Sequence, residues 1–515
     1  MQSAPPVILS IAGVTKRFGA LVANEEINLE IRRGEILALL GENGAGKTTL
    51  MNILFGHYVA DEGSIRVAGS NGSGLQPLPA GSPQAALRAG IGMVHQHFAL
   101  AESLTALENI VLGTGSLSSP TLHLREARRK LRQLMIESGL TVDPDERVSR
   151  LTVGERQRVE ILKVLYRGAR ILVLDEPTAV LTPQEANGLF AVLRQLKARG
   201  LSVIFISHKL REVLAIADRV AVLRGGRKVA DRPVAGIDRA MLASLMIGRE
   251  VPMSRREPQA PGRLVLMLDQ ADVPGAGGRI GLTQASLEVR EGEIIGIAGV
   301  SGNGQAALAG LIAGMTRAAV GSVTLFGTPL QPSPRAAVQA GIGRIPEDRH
   351  HEGVVGSLTI AENLVLETLN DPTVQRWGFL RFSAIWEHAR AVIAAFDVRC
   401  PGPDAPVRVL SGGNIQKVIL ARELGREPRL ILANQPARGL DVGATAEVHR
   451  RLLEARRRGA GILLISEDLD ELLSLSDRIA VIARGRLSPA EPVESLTLER
   501  LGLLMAGQDA EDQAA

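Results

Sequence analysis

Residues 41–48, Gly-Glu-Asn-Gly-Ala-Gly-Lys-Thr, have the residue types and spacing that bind phosphate groups. The motif follows an apolar segment typical of a strand and opens a predicted helix, which is the context it requires. The glycines would let successive backbone N–H groups turn toward a phosphate, and the helix N-terminus would add its positive end. Lys47 is expected to reach the β- and γ-phosphates, and the Thr48 hydroxyl to ligate Mg²⁺. The alternative interpretation is a glycine-rich turn without a ligand.

Two acidic residues follow a second apolar segment, residues 171–174. Asp175 suits a water-mediated Mg²⁺ position, and Glu176 would polarise an attacking water. Acidic residues after a strand are common in loops, so alone the pair leaves a structural role equally open. Beside a phosphate-binding loop the pair predicts hydrolysis of a nucleoside triphosphate.

An internal repeat predicts the architecture. Residues 28–36 return in similar form at 286–294, and residues 151–218 return at 410–477. The first copy has an insertion of seven residues within 70–83. We predict domains at 7–250 and 263–508, a linker at 251–262 and a disordered tail at 509–515. In each copy short apolar strands alternate with amphipathic helices, which indicates an α/β fold with a largely parallel sheet.

Composition excludes several classes of protein. One cysteine, Cys400, excludes an internal disulfide, and 59 basic against 55 acidic residues give no charge that would attract nucleic acid. The first ten residues lack the pattern of a signal peptide. Residues 294–316 carry no charge and are long enough to span a membrane. Their polar residues argue against a span, and the repeat, which aligns them with the strand and helix around the phosphate loop, explains the segment better; we expect a soluble protein.

With these motifs the chain resembles the ABC ATPase family over about 500 of its 515 residues. Residues 151–155 resemble the family's signature motif, and residues 410–414, Leu-Ser-Gly-Gly-Asn, resemble it more closely. The resemblance implies two tandem P-loop ABC ATPase domains. Each would have a RecA-like, mostly parallel sheet core, a helical subdomain and a small antiparallel β subdomain. Trp377, Phe379, Phe382 and Trp386 are predicted to lie in the core of the helical subdomain, the alternative being a binding cage.

The resemblance also implies the site residues. Gln96 would sense Mg²⁺ and water beside a membrane subunit, His208 would contact the γ-phosphate, and Phe18 would stack on adenine. The predicted catalytic residues are Glu176, His208 and Gln96, and the predicted Mg²⁺ ligands are Thr48, Gln96 and Asp175. The residues predicted to bind ATP are Phe18, Gly41, Glu42, Asn43, Gly44, Ala45, Gly46, Lys47, Thr48, Thr49, Ser411, Gly412, Gly413, Asn414 and Asp441.

The second copy is predicted to be catalytically silent. The repeat aligns Lys47, Thr48, Gln96, Asp175, Glu176 and His208 with Gln305, Ala306, Glu347, Asn434, Gln435 and Glu467. In the family, the phosphate loop of one domain faces the signature motif of the other. The intact loop would therefore face the intact signature, and the degenerate loop would face residues 151–155 and Thr182. The defects fall into one composite site, as expected if one site has lost its function.

Residues 245–249, 299–305, 345–349 and 438–443 resemble the tandem ATP-binding subunits of bacterial importers for monosaccharides and nucleosides. Residues 153–185 are most similar to the nucleoside branch. This resemblance implies multi-span membrane permease subunits as partners, a solute-binding lipoprotein as an indirect partner, and a peripheral position on the cytoplasmic face of the inner membrane. The surface from Gln96 to Gly113 would transmit closure to the permease. The alternatives are a soluble tandem ATPase acting on ribosomes or DNA, and a pseudo-enzyme scaffold.

Overall fold

The computed structural model describes residues 5–69, 74–95, 98–114, 124–178, 181, 183–207, 209–248, 256–275, 277–505 and 507. Contacts between Cα atoms divide the chain into two compact units, residues 1–251 and 252–515. The predicted linker lies partly, and the predicted tail wholly, outside the described residues.

Unit 1 has ten strands and eight helices among its described residues. The strands are β1 (Val7–Phe18), β2 (Leu21–Arg32), β3 (Ile36–Gly41), β4 (Glu62–Ala68), β5 (Leu75–Pro77), β6 (Ile91–Val94), β7 (Ile171–Asp175), β8 (Ser202–Ile206), β9 (Arg219–Arg224) and β10 (Arg227–Pro233). The helices are α1 (Lys47–Phe55), α2 (Pro83–Arg88), α3 (Ala106–Val111), α4 (Leu124–Ser138), α5 (Val153–Tyr166), α6 (Pro183–Ala198), α7 (Leu210–Ile216) and α8 (Arg239–Ile247).

Two sheets form the frame of unit 1. The larger has the order β10-β9-β3-β8-β7-β6 and is parallel except at β10, and the smaller, β2-β1-β4-β5, is antiparallel. Every residue of β3 and β8 is buried, as expected for central strands covered on both faces. The carboxyl ends of β3 and β7 therefore meet at one edge of the sheet, where ligands bind in this class of fold.

Unit 2 repeats this plan. Its strands are β11 (Leu264–Val273), β12 (Leu282–Arg290), β13 (Ile294–Ala298), β14 (Val320–Leu325), β15 (Thr328–Pro329), β16 (Ile342–Ile345), β17 (Gln375–Arg376), β18 (Phe379–Leu380), β19 (Leu430–Asn434), β20 (Gly461–Ile465), β21 (Arg478–Ala483), β22 (Arg486–Leu487) and β23 (Glu491–Pro492). Its helices are α9 (Gln305–Ile312), α10 (Pro334–Gln339), α11 (Ile360–Val365), α12 (Phe382–Ala395), α13 (Gly412–Gly425), α14 (Val442–Arg457), α15 (Leu469–Leu475) and α16 (Leu498–Met505).

The sheets of unit 2 confirm the duplication. An antiparallel sheet, β12-β11-β14-β15, accompanies a larger sheet whose strands β16, β19, β20, β13 and β21 are parallel. The uncharged segment 294–316 contains strand β13 and helix α9, as predicted. None of the helices in the described parts of the chain is long and apolar enough to cross a bilayer.

Among the described residues, three α-helices lie between β6 and β7 along the chain in unit 1, and three lie between β16 and β19 in unit 2. α3 begins with a capping box in which Thr105 and Glu108 satisfy each other's backbone N–H groups, and Thr359 and Glu362 do the same for α11. α4 and α5 follow α3, and α12 and α13 follow α11. The predicted α/β architecture is confirmed: each unit has a largely parallel sheet, a group of helices and a smaller antiparallel sheet.

The prediction that the tryptophan-containing group lies in the core is wrong. Trp377 and Phe379 are 88% and 79% exposed, and Phe382 and Trp386 are 54% and 41% exposed. The core beneath them is aliphatic and includes Val374, Ile385 and Ala389. Trp377 and Phe379 lie in a tight hairpin between β17 and β18, whereas Phe382 and Trp386 lie on exposed positions of α12.

Candidate functional site

The phosphate loop connects β3 to α1, and close packing requires glycine at position 46 of the loop. Gly46 has φ 97°, and a Cβ atom there would lie 2.3 Å from the carbonyl oxygen of Ala23. Asn24, which is buried, donates from Nδ2 to the Gly46 carbonyl at 3.1 Å. The turn is therefore fixed in a left-handed conformation that only glycine adopts without strain.

The loop has the features of an anion site. Gly46, the N-cap residue of α1, has no side chain with which to cap the helix, and the N-terminus of a helix attracts anions. At Gly44 a Cβ atom would meet nothing within 4 Å, which leaves that side of the loop open. The Lys47 ammonium donates to the carbonyls of Gly41 and Glu42, at 2.7 and 2.9 Å. A phosphate fits this cradle of backbone N–H groups and one lysine.

The acidic pair lies at the end of β7, at the same sheet edge. Glu176 has φ 48°, and its backbone N–H donates to the Ile206 carbonyl at 2.9 Å. Burial raises the pKa of Asp175, the negative charge of Glu176 raises it further, and Lys47 and His95 partly oppose the shift. A divalent cation would relieve the repulsion between the two carboxylates, so Asp175 fits the predicted Mg²⁺ position.

We expect Asp175→Asn to raise the melting temperature of the nucleotide-free chain at neutral pH. Because the folded pKa lies above the unfolded value, the ionised carboxylate destabilises the folded state once the pH exceeds the unfolded pKa. Below that pKa the residue is protonated in both states and the penalty disappears. The gain should therefore shrink as the pH falls from about 8 toward about 4 in thermal unfolding without Mg²⁺.

The second copy supplies a control for this prediction. Asn434 occupies the corresponding position and is 9% exposed, so Asn434→Asp should lower the melting temperature at neutral pH. An equal gain for Asp175→Asn at every pH would show that the charge is not its cause.

Unit 2 keeps the backbone of the site and changes its side chains. Gln435 has φ 52°, and its N–H donates to the Ile465 carbonyl at 2.8 Å, which matches Glu176 in unit 1. Gln305 stands at the lysine position and donates from Nε2 to the Val300 carbonyl at 2.8 Å. An amide in each place provides neither a phosphate-binding cation nor a general base.

The two signature segments begin their helices differently. In unit 1, Thr152 and Glu155 form a capping box at the start of α5. In unit 2, Ser411 makes no side-chain cap to α13, and its Oγ accepts from Nδ2 of Asn414 at 2.9 Å. A carboxylate thus covers the helix N-terminus in unit 1, whereas a neutral serine and asparagine stand there in unit 2. Only the second arrangement suits a phosphate.

Arg349 links the signature segment of unit 2 to the loop that contains Asp441. Its Nη1 donates to the Arg438 carbonyl at 2.9 Å, and a Cβ atom at Gly412 would lie 3.0 Å from its Nη2. Burial lowers the pKa of Arg349. Asp441 caps α14 by accepting from the Ala444 N–H at 2.7 Å. Sequence analysis gave Arg349 no role, because its contacts join segments far apart along the chain.

Of the remaining predicted site residues, Phe18 lies among the described residues and three others do not. Phe18 is 44% exposed, and its ring meets Tyr58 edge to face with centroids 5.6 Å apart. This leaves an aromatic surface that adenine could stack on, and Tyr58 is a neighbour that sequence analysis missed. Gln96, His208 and Thr182 lie outside the described residues.

Comparison with known proteins agrees with this arrangement. The ABC transporter family model matches residues 24–179 and again residues 282–438. The chain is 44% identical to the nucleoside import ATP-binding protein NupA of Lactococcus lactis, over 97% of this chain and 98% of that protein. It is 43% identical to the glucose import ATP-binding protein TsgD13 of Haloferax volcanii, over 97% of this chain and 96% of that protein.

A solved structure resembles the whole fold. It is the complex of archaeal ribosomal stalk protein aP1 and ribosome recycling factor aABCE1, with a TM-score of 0.64, 18% identity, and coverage of 96% of this chain and 92% of that chain. At this identity the likeness shows the fold alone. The family match, present twice, and the identity to relatives of the same length lead to one conclusion: the chain belongs to the ABC transporter family of ATP-binding proteins.

Proposed function

We propose that this chain is the ATP-hydrolysing subunit of an ABC importer for nucleosides or simple sugars, with one working ATP site. The observation that carries the proposal is the 44% identity, over nearly the full length of both proteins, to a nucleoside import ATP-binding protein. A glucose import protein follows at 43%. Similarity of this extent supports the import role over action on ribosomes or DNA. The phosphate loop and acidic pair argue against a pseudo-enzyme scaffold.

In this proposal unit 1 supplies the chemistry. Lys47 and the loop N–H groups bind the phosphates of ATP, Phe18 supports the adenine ring, and Glu176 orients and activates the attacking water. Thr48, Asp175 and Gln96 would hold Mg²⁺, which supplies charge neutralisation at the phosphates when it is bound. His208 would contact the γ-phosphate.

Unit 2 supplies the signature that completes the site. We infer this from the way the defects segregate in the sequence, and from the neutral, uncapped start of α13. Ser411, Gly412, Gly413, Asn414 and Asp441 would contact the ATP bound to unit 1. ATP would favour the closed pair of units and hydrolysis would reset it, with Gln96 to Gly113 passing closure to the permease.

We expect Asn414→Glu to lower ATP turnover by more than roughly tenfold, because the change places a carboxylate beside the triphosphate. The substitution reproduces Glu155 of unit 1, which is compatible with a stable helix start. The measurement is steady-state turnover per chain, with nucleotide binding measured in parallel. The matched control is Glu155→Asn, which should change turnover by less than about threefold. Unchanged turnover in Asn414→Glu would contradict a role for this signature.

The proposed function is tested by transport. The permease subunits are reconstituted in a membrane, with the full chain on the cytoplasmic face and the solute-binding lipoprotein on the opposite face. ATP-driven uptake of labelled nucleosides is then compared with uptake of labelled monosaccharides. We expect uptake of one of these solute classes and its loss in Glu176→Gln. An ATPase stimulated by ribosomes or DNA, without uptake of either class of solute, would support the alternative instead.

A further inference from the structure

An exposed group of aromatic side chains lies on the helical segment of unit 2. We call Trp377, Phe379, Phe382 and Trp386 the aromatic patch; it contains both tryptophans of the chain. Trp377 and Phe379 are 88% and 79% exposed. Single exposed apolar residues are common, but four exposed large rings within ten residues of sequence indicate a binding surface.

The hairpin that carries Trp377 and Phe379 is anchored by buried residues on both sides, and Phe382 and Trp386 follow it on α12. Val374 and Ile385, on either side of it, are 8% and 2% exposed. The Arg381 N–H donates to the Val374 carbonyl at 2.8 Å and closes the hairpin. At its tip Trp377 has φ 56°. The exposure of the rings is therefore a property of the folded loop and not of a frayed end.

Two arginines flank the rings on the hairpin, and the nearest acidic residue to Trp386 is the exposed Glu387 on α12. Arg376 and Arg381 are exposed and flank Trp377 and Phe379. No acidic residue occurs between Asp371 and Glu387 in the sequence. Tryptophan and phenylalanine beside arginine are typical of segments at the bilayer interface, where rings enter the headgroup region and guanidinium groups contact lipid phosphates.

The corresponding helix of unit 1 supports a charged membrane surface as the partner. α4 lies between α3 and α5, as α12 lies between α11 and α13. Arg125, Arg129 and Arg132 of α4 are exposed and, at spacings of four and three residues, share one helix face. The equivalent segments thus carry basic residues in one unit and aromatic residues with arginines in the other. Basic side chains attract anionic headgroups, and aromatic rings insert at the bilayer interface, so both segments favour binding to anionic lipid.

We propose that the aromatic patch, with Arg376 and Arg381, binds the surface of an anionic phospholipid bilayer. The inference rests on the proposed function at a membrane but needs neither ATP nor a transported solute. The rings would enter the headgroup region, and the two guanidinium groups would contact lipid phosphates.

The test is flotation of the purified full chain with vesicles of phosphatidylcholine, with or without about one-third phosphatidylglycerol. We expect binding to the anionic vesicles, weakened at least about tenfold by Trp377→Ser/Phe379→Ser. Arg376→Glu/Arg381→Glu should remove the preference for anionic lipid. The matched control is Met315→Ser/Val320→Ser, which replaces apolar residues of the same unit that are 49% and 59% exposed. This control should bind as the wild type does.

Two outcomes would overturn the lipid proposal: no binding of the wild-type chain to anionic vesicles, and equal binding of the aromatic variant. In the first case, co-purification of the aromatic variant with the permease is measured as well, and loss of co-purification is the informative result. That loss would make the patch a protein-docking surface. Retained ATP turnover in each variant shows that the chain is folded. If the chain binds anionic vesicles but the reconstituted transporter takes up no solute, the proposed import function is wrong and the lipid-binding inference still holds.

Discussion

Lys47→Ala is expected to weaken ATP binding by at least roughly thirtyfold and to abolish turnover, because it removes a charged hydrogen-bond donor from the triphosphate. Loss of one partner from a desolvated charge pair costs about 2–5 kcal/mol, and each 1.4 kcal/mol is about a factor of ten in Kd. The Lys47 ammonium already lies over the loop, 2.7 Å from the Gly41 carbonyl oxygen, so little reorganisation is needed to meet a phosphate. The measurement is the Kd for ATP by calorimetry, with turnover alongside.

The second copy provides the matched control for Lys47→Ala. Gln305 occupies the same position and its amide contacts the Val300 carbonyl, also within the loop. Gln305→Ala removes a comparable contact without removing a charge, so the high-affinity Kd should change by less than about threefold. A Kd for Lys47→Ala within twofold of the wild-type value would exclude the 41–48 loop as the ATP site.

Much of the fold could be predicted because its signals are local or repeated. The phosphate loop needs glycines within eight residues of sequence, and Gly46 has the left-handed conformation that the motif implies. The repeat carries every element of unit 1 to its counterpart in unit 2. Buried apolar strands such as β3 and β8 are readable from composition alone.

Other features could not be read from the sequence because they depend on tertiary contacts. Arg349 donates to the Arg438 carbonyl, 89 residues away along the chain, and no local sequence pattern predicts such a bond. Large aromatic residues are usually buried, so Trp377 was expected in the core; its exposure follows from the hairpin geometry around it. The raised pKa of Asp175 arises from burial at the sheet edge, which strand prediction alone does not determine.

The acidic pair of unit 1 and its counterpart offer a comparison in one chain. Glu176 and Gln435 have φ values of 48° and 52°, and each N–H donates to the end of a neighbouring strand, at Ile206 and Ile465. The backbone is thus the same at both positions. Exchange of carboxylate and carboxamide there changes charge and basicity with little change in shape, so differences in activity report chemistry rather than folding.

Glu176→Gln is expected to leave ATP bound and to lower turnover by roughly 10²–10⁴-fold, the usual contribution of a general base. Gln435→Ala should change turnover by less than about tenfold, or roughly 1.4 kcal/mol of barrier, because no base is lost. Gln435→Glu alone should not create a second site, since Gln305, Ala306 and Asn434 still lack the phosphate charge and the Mg²⁺ ligands. The measurement is ATP turnover per chain, with the permease present, for the three variants side by side. Comparable losses in Glu176→Gln and Gln435→Ala would mean that both sites hydrolyse ATP, and the single-site proposal would then be wrong.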